Sequence, residues 1–184
     1  IRALATERLA QSEARLLFVL QAAALGAWEL DFSSGSLTAS ATCKSFFGLQ
    51  PDDPLSYDDL LGLIHPDDRA RVDGDVRASI GTHGDCDTEC RVVWADGTQR
   101  WVNIRGRCSS GRDGKPVIMA GVLLDVTTRK QAEEQQILLM REVDHRAKNV
   151  LAVAQSVVRL TDATDPARYS ETVQGRIAAL ARAH

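Results

Sequence analysis

The sequence predicts an α+β fold in which a five-stranded antiparallel sheet with short helices is followed by a helical hairpin. Three observations predict it. Short alternating runs separated by turn residues fill the stretch from Ala27 to Val126, an Asp96-Gly97 pair joins two of the runs, and 35 residues from Thr127 to Thr161 contain neither Pro nor Gly. The 184 residues are 44% hydrophobic and 26% charged, enough apolar chain for an ordinary core and unlike collagen, a disordered tail or a small disulfide scaffold.

The elements follow in order. Residues 1–25 form an N-terminal helix, with Leu4, Leu9, Leu16, Leu17 and Leu20 spaced by threes and fours and Gly26 closing it. Such a stripe caps the next domain or pairs with a second copy. Residues 26–127 form the sheet domain. Ala27 to Phe32 alternates, Ser33-Ser34-Gly35-Ser36 is a turn, and Leu37 to Ser40 returns as a hairpin. Short helices are expected over 41–49, 56–64 and 66–80, the second starting at Ser56 and the third at His65-Pro66 with the acidic pair Asp67 and Asp68. Strands are expected over 87–94, 99–108 and 116–126. Residues 128–184 form the helical domain.

Charge and cysteine usage exclude several classes. With 22 basic and 25 acidic residues there is no global electrostatic case for nucleic acid. No apolar run approaches the roughly 18 residues of a membrane helix, and no signal-peptide order opens the chain, so a cytoplasmic protein without a membrane partner is expected. The four cysteines at 43, 86, 90 and 108 make no zinc pattern, and no metal site is expected. Cys86 and Cys90 on one strand face lie roughly 13 Å apart, too far for a disulfide. The chain opens on Ile1 and stops inside the helical run IAALARAH, which gives the expectation of a piece of a longer protein.

The sheet region resembles a PAS domain, the small sensor module of bacterial signalling proteins. The resemblance rests on Gly26-Ala27-Trp28-Glu29-Leu30-Asp31, Phe47-Gly48-Leu49, His65-Pro66-Asp67-Asp68, Trp94-Ala95-Asp96-Gly97-Thr98 with Trp101, and the exit Gly121 to Thr127 followed by Arg129-Lys130. It implies a pocket between the sheet and helices that holds flavin, haem, a metabolite or nothing. Trp28, Phe46, Phe47 and Trp101 are candidates to line it, although aromatic residues in small domains also serve as core. The family's light-sensing version carries a reactive cysteine at the start of the long helix, where this chain has His65-Pro66-Asp67-Asp68-Arg69, so a cysteinyl-flavin adduct is not expected. Only His65 and His83 in this region offer a haem ligand, and each is explained more simply as structural or exposed.

The long helical stretch spans roughly 52 Å at 1.5 Å per residue, more than a small domain covers. Met140, Val143, Ala147, Val150, Ala154 and Val157 make a heptad seam, widened by Leu151 and Val158. Asp162 to Asp165 make a polar turn before Pro166, and Val173, Ile177, Leu180 and His184 share a face of the returning helix. Two copies of the hairpin would bury these stripes in a four-helix bundle, so a parallel homodimer is expected. His145 lies about 200° around the helix from the seam residue Val143 and faces solvent, with Lys148 and Asn149 on its own face and Asp144 and Arg146 flanking it. An imidazole that titrates near neutrality, cationic and amide donors, and an acidic neighbour able to hold the far ring N–H suit phosphoryl transfer to histidine. A polar helix face with one histidine is also common without any chemistry.

The string from Glu142 to Val153, with His145-Arg146-Ala147-Lys148-Asn149 at its centre, is similar to the phosphoacceptor box of the HWE-type histidine kinases, and Arg176 to His184 looks like the second helix of their dimerisation domain. The resemblance implies that His145 accepts the γ-phosphoryl group of ATP and passes it to an aspartate of a response regulator receiver domain. It implies Arg146, Lys148 and Asn149 as supports of the phosphoryl group; Asp144 stands where many relatives carry Asn or His, and its assignment as proton acceptor is inferred from its acidic side chain next to His145. The family's ATP-binding domain, which supplies ATP and Mg in the intact kinase, has no counterpart in these 184 residues, so this chain alone is expected to be inactive and to hold no cofactor of its own. The alternative reading is a non-catalytic PAS dimerisation or phosphotransfer module.

Overall fold

The computed structural model of the chain describes residues 2–82, 84–111, 114–159 and 166–183. It divides into two compact units, residues 1–130 and 131–184. The predicted turn at Asp162 to Asp165, together with His83 and His184, lies outside the described residues, as do the side chains of Leu4, Leu9 and Leu180.

The first unit opens with α1 (Arg2–Ala22), followed by β1 (Gly26–Asp31), β2 (Leu37–Ala39), α2 (Ala41–Phe46), α3 (Tyr57–Leu63), α4 (Pro66–Thr82), β3 (Asp85–Val93), β4 (Gln99–Ser110) and β5 (Pro116–Asp125). The strands form one antiparallel sheet in the order β2-β1-β5-β4-β3. The β1–β2 and β3–β4 hairpins stand as predicted, the latter turning at Asp96-Gly97 with Gly97 at φ 84°. One face of the sheet carries Leu30, Cys86, Cys90, Val92, Val102, Ile104, Met119 and Leu123 into a core shared with Phe47, Ile64, Val72 and Val76 from the helical side. All four cysteines are buried and free, and burial pushes the Cys43 and Cys90 thiols up to about 12.

Several boundaries shift by one to three residues from the sequence expectation, and two of the shifts have a clear physical cause. Gly26 does not end α1. It is the first residue of β1, where a Cβ would lie 2.5 Å from the Cys43 Cα, and α1, which ends at Ala22, is closed instead by Ala24 at φ 51°. The Leu25 N–H bonds the Leu20 carbonyl (2.8 Å) and the Ala24 N–H that of Gln21 (3.0 Å), the paired closure that usually places glycine where Ala24 stands. Helix α2 stops at Phe46 rather than Leu49, because Gly48 turns at φ 74° against the Trp94 ring. Trp94 Nε1–H donates to the Phe46 carbonyl (3.0 Å), which explains why the Phe47-Gly48-Leu49 and Trp94 motifs occur together.

Capping decides the helix starts. Ser56 and Asp59 form a reciprocal capping box on α3. In the segment that opens α4, His65 Nδ1 accepts from the Asp67 N–H (3.3 Å), and Arg69 donates to the carbonyls of Ile64 (2.8 Å) and Gly62 (2.6 Å) at the end of α3. His65 therefore serves a helix start.

The second unit contains the greater part of α5 (Thr127–Arg159), and α6 (Pro166–Ala183). The Tyr169 hydroxyl donates to the Val158 carbonyl (3.1 Å), and Ala154, Val157 and Val173 are half-buried. Further along the seam Met140, Val143 and Val150 are at least half exposed. In α1, Leu16, Leu17, Phe18 and Val19 are all exposed, a band of four consecutive residues rather than a narrow stripe.

Candidate functional site

Helix geometry alone fixes the surroundings of His145. It lies near the middle of α5 and is exposed, as are Asp144, Arg146, Lys148 and Asn149. Successive helix positions are 100° apart, and the structure accordingly gives Asp144 no hydrogen bond to His145. Lys148 and Asn149, one turn on, share the His145 face and leave the imidazole open. The Arg146 Nε–H is held by Glu142 Oε1 (2.6 Å), one turn back. Glu142 is a member of this cluster that the sequence reading did not single out, although its i,i+4 spacing to an arginine was the available signal. No group of three or more His, Cys, Asp or Glu suited to a metal occurs among the described residues.

The first turn of α5 is fastened to the sheet by side chains of the exit motif. Asp125 Oδ1 accepts from the Thr127 N–H (2.8 Å), Thr127 Oγ1 accepts from the Trp101 N–H (2.9 Å), and the Val126 N–H bonds the Trp101 carbonyl (2.9 Å). Lys130 Nζ pairs with Glu89 (2.7 Å), which Arg129 also engages, and these contacts hold the Glu89 carboxyl below its ordinary range. The Lys130 ammonium lies 5.3 Å from the Trp101 ring centroid and the Arg91 guanidinium 5.8 Å from it. Arg91 in turn bonds Asp68 at the start of α4, through Nε (2.9 Å) and Nη2 (3.0 Å), and its backbone N–H adds a third bond (3.0 Å). These bonds to the buried Asp68 pull its carboxyl down to about 2. A continuous set of contacts thus joins α4, β3, β4 and the first turn of α5.

The four aromatic candidates for a pocket separate. An interior cavity of about 30 Å³ is lined by Trp28 with Leu30, Leu60, Val72, Ile104 and Leu123 among others, but not by Phe46, Phe47 or Trp101. Phe47 is core, Phe46 is half-buried beside it, and Trp101 belongs to the opposite sheet face, under Lys130. Along β4 the inward residues are Val102 and Ile104, so Trp101 points away from the core.

Residues 36–123 match the family described as the PAS fold, and residues 142–184 match the family described as HWE histidine kinase. A blue-light-activated histidine kinase of Brucella anthropi is 34% identical over 176 residues, which is 95% of this chain and 35% of that protein, and a counterpart of Brucella ovis is 33% identical over 177 residues with the same coverage. The chain thus spans about a third of the length of these curated relatives. Among solved structures, a sensory box histidine kinase/response regulator from Burkholderia thailandensis superposes with a TM-score of 0.62 at 29% identity, covering 71% of this chain and 98% of that one. The N-terminal domain of a diguanylate cyclase with PAS/PAC sensor from Marinobacter aquaeolei has a TM-score of 0.54 at 15% identity over 58% of this chain and 98% of its own, a likeness of fold alone.

Proposed function

The chain is a PAS domain joined to a segment of the HWE-type histidine kinases, and on that basis we propose that it is the sensor and phosphoacceptor portion of a bacterial, cytoplasmic two-component kinase. The observation that carries the reading is the exposed His145 within the HWE-matching segment, flanked on α5 by Arg146, Lys148 and Asn149. In the proposed reaction an imidazole nitrogen of His145 attacks the γ-phosphorus of Mg-bound ATP. A P–N bond forms, the P–O bond to ADP breaks, and the ring proton passes to Asp144 once that side chain turns toward the imidazole. Lys148, Asn149 and Arg146 balance the charge on the phosphoryl oxygens, with Arg146 oriented by Glu142. The phosphoryl group then moves to an aspartate of a receiver domain, breaking P–N and forming P–O.

The same reading pairs two chains through the exposed seam of α5 and the face of α6, and lets the sheet act on His145 through the fastened first turn of α5. Support for that route is the contact set from Asp68 through Arg91 and Trp101 to Lys130.

The Brucella relatives are named for blue light, but the residues here do not fit thiol photochemistry with flavin. Helix α4 contains no cysteine, the four thiols lie in α2, β3 and β4, and the 30 Å³ cavity is far below the roughly 300 Å³ at which small-molecule pockets begin. The test of the kinase reading is transfer of label from γ-labelled ATP to this chain when a cognate ATP-binding domain is supplied. His145→Ala is expected to abolish labelling while leaving the PAS domain folded. Equal labelling of the two chains would refute it.

A further inference from the structure

We propose that Arg141 is a further phosphoryl-binding residue of the site: it stands one turn before His145 as Lys148 stands one turn after it, and the two cations close together on the oxygens of a phosphoryl group carried by the imidazole. The proposal deepens the function proposed above and rests on its assignment of His145 as acceptor. It begins from the helix. Successive residues of α5 turn by about 100° and rise by about 1.5 Å, which puts Arg141 about 6 Å before His145 and Lys148 about 4.5 Å after it. Both lie roughly 40–60° to the same side of the imidazole, whereas Glu142 and Asn149 lie to the other side and Arg146 is about 100° away.

The structure separates the three cations around His145. Arg146 is engaged, its Nε–H donating to Glu142 Oε1 (2.6 Å), so that the nearest carboxylate on the other side of the imidazole is neutralised by a neighbour. Arg141 and Lys148 are exposed, and neither makes a hydrogen bond or ion pair with any described residue. Asp144 is three residues after Arg141 and four before Lys148, the spacing of helix-surface pairs, yet it bonds neither. A phosphoryl group arriving on His145 therefore displaces no partner from these two side chains. Their chemistry is complementary: the guanidinium of Arg141 presents a planar fork of N–H donors that takes two phosphoryl oxygens at once, and the ammonium of Lys148 adds a compact charge from the opposite end. Each is a long side chain one turn from the imidazole, within reach of the oxygens while its own Cα stays clear of an approaching partner.

The test phosphorylates the 184-residue chain chemically with phosphoramidate. The donor's P–N bond breaks, ammonia leaves, and a P–N bond to the imidazole forms. Phosphorus-31 NMR then follows the His145 signal, identified by its absence in His145→Ala, through a pH titration. Cations bound to the phosphoryl oxygens favour the doubly charged form and lower its last pKa. At the strength of exposed ion pairs, Arg141→Gln is expected to raise that pKa by about 0.4 pH unit, Lys148→Gln by a similar amount, and the two together by about 0.8. Arg141→Lys is expected to restore most of the difference, and Arg146→Gln to move the pKa less than half as far as Arg141→Gln. Arginine and glutamine are comparable helix formers, so α5 persists in each variant. A value in Arg141→Gln within about 0.1 pH unit of the unsubstituted chain, or an Arg146→Gln effect as large as that of Arg141→Gln, would overturn the proposal. No ATP enters the experiment, so its failure leaves the kinase reading to its own test.

Discussion

Asp68 is a stabilising side chain that also stands at the head of the contact set used by the proposed route to His145. Its carboxylate gathers three bonds from Arg91 and lies at the start of α4, 8% exposed. The folded-state value near 2 is below the ordinary 3.9, so the bound form stabilises the fold above about pH 4. That contribution, about 2–3 kcal/mol, is lost as pH falls toward 2. Asp68→Asn is expected to cost about that much at neutral pH and to flatten the acid limb, as read by denaturant unfolding at a series of pH values. At the end of α1, Ala24 at φ 51° occupies a backbone region that disfavours a Cβ, and Ala24→Gly is expected to raise stability by up to about 1 kcal/mol in the same assay. The sequence announces the role of neither Asp68 nor Trp101. Asp68 looks like one of two acidic residues at a helix start, and its partner is 23 positions away. Trp101 looks like any other aromatic, because composition does not say which side of β4 it faces.

Helix starts are the elements the sequence announces best, since the cap lies within a few residues of what it caps. Ser56 and Asp59 are three apart, and the Asp96-Gly97 turn carries its own backbone demand. The end of α1 is hidden for the opposite reason: Gly26 is needed for close approach to Cys43, a contact between segments that no local pattern reveals. The first turn of α5 follows the local rule, and Asp125→Ala is expected to cost it about 1 kcal/mol. Faster amide exchange from Thr127 to Lys130, with β5 unchanged, is the measurement that checks it. Farther along α5, the exposed Val150 and Leu151 belong to the face that the proposed dimer buries. Val150→Asp with Leu151→Asp is expected to convert a dimer into a monomer in sedimentation equilibrium at micromolar concentration, with the helical signal reduced. An unchanged dimer would remove α5 from the interface.

For the molecule as a whole, the proposed function assigns sensing to the sheet domain and phosphoryl acceptance to His145, both linked to one helix, α5, whose first turn is fastened to the sheet. The PAS motifs and the box from Glu142 to Val153 were legible because each is a fixed local string. The set of contacts from Asp68 to Lys130 was not, since it joins four elements through long-range pairs. In the intact kinase, Trp101→Leu is expected to change how fast His145 is labelled by at least threefold without changing which residue is labelled. The most direct test of the central claim is to locate the phosphate on this chain after incubation with ATP and a supplied ATP-binding domain, by mass spectrometry of peptides kept at alkaline pH. The account predicts an acid-labile phosphoramidate on His145, absent from His145→Ala. Acid-stable phosphate, or phosphate on any other residue of the chain, would contradict it.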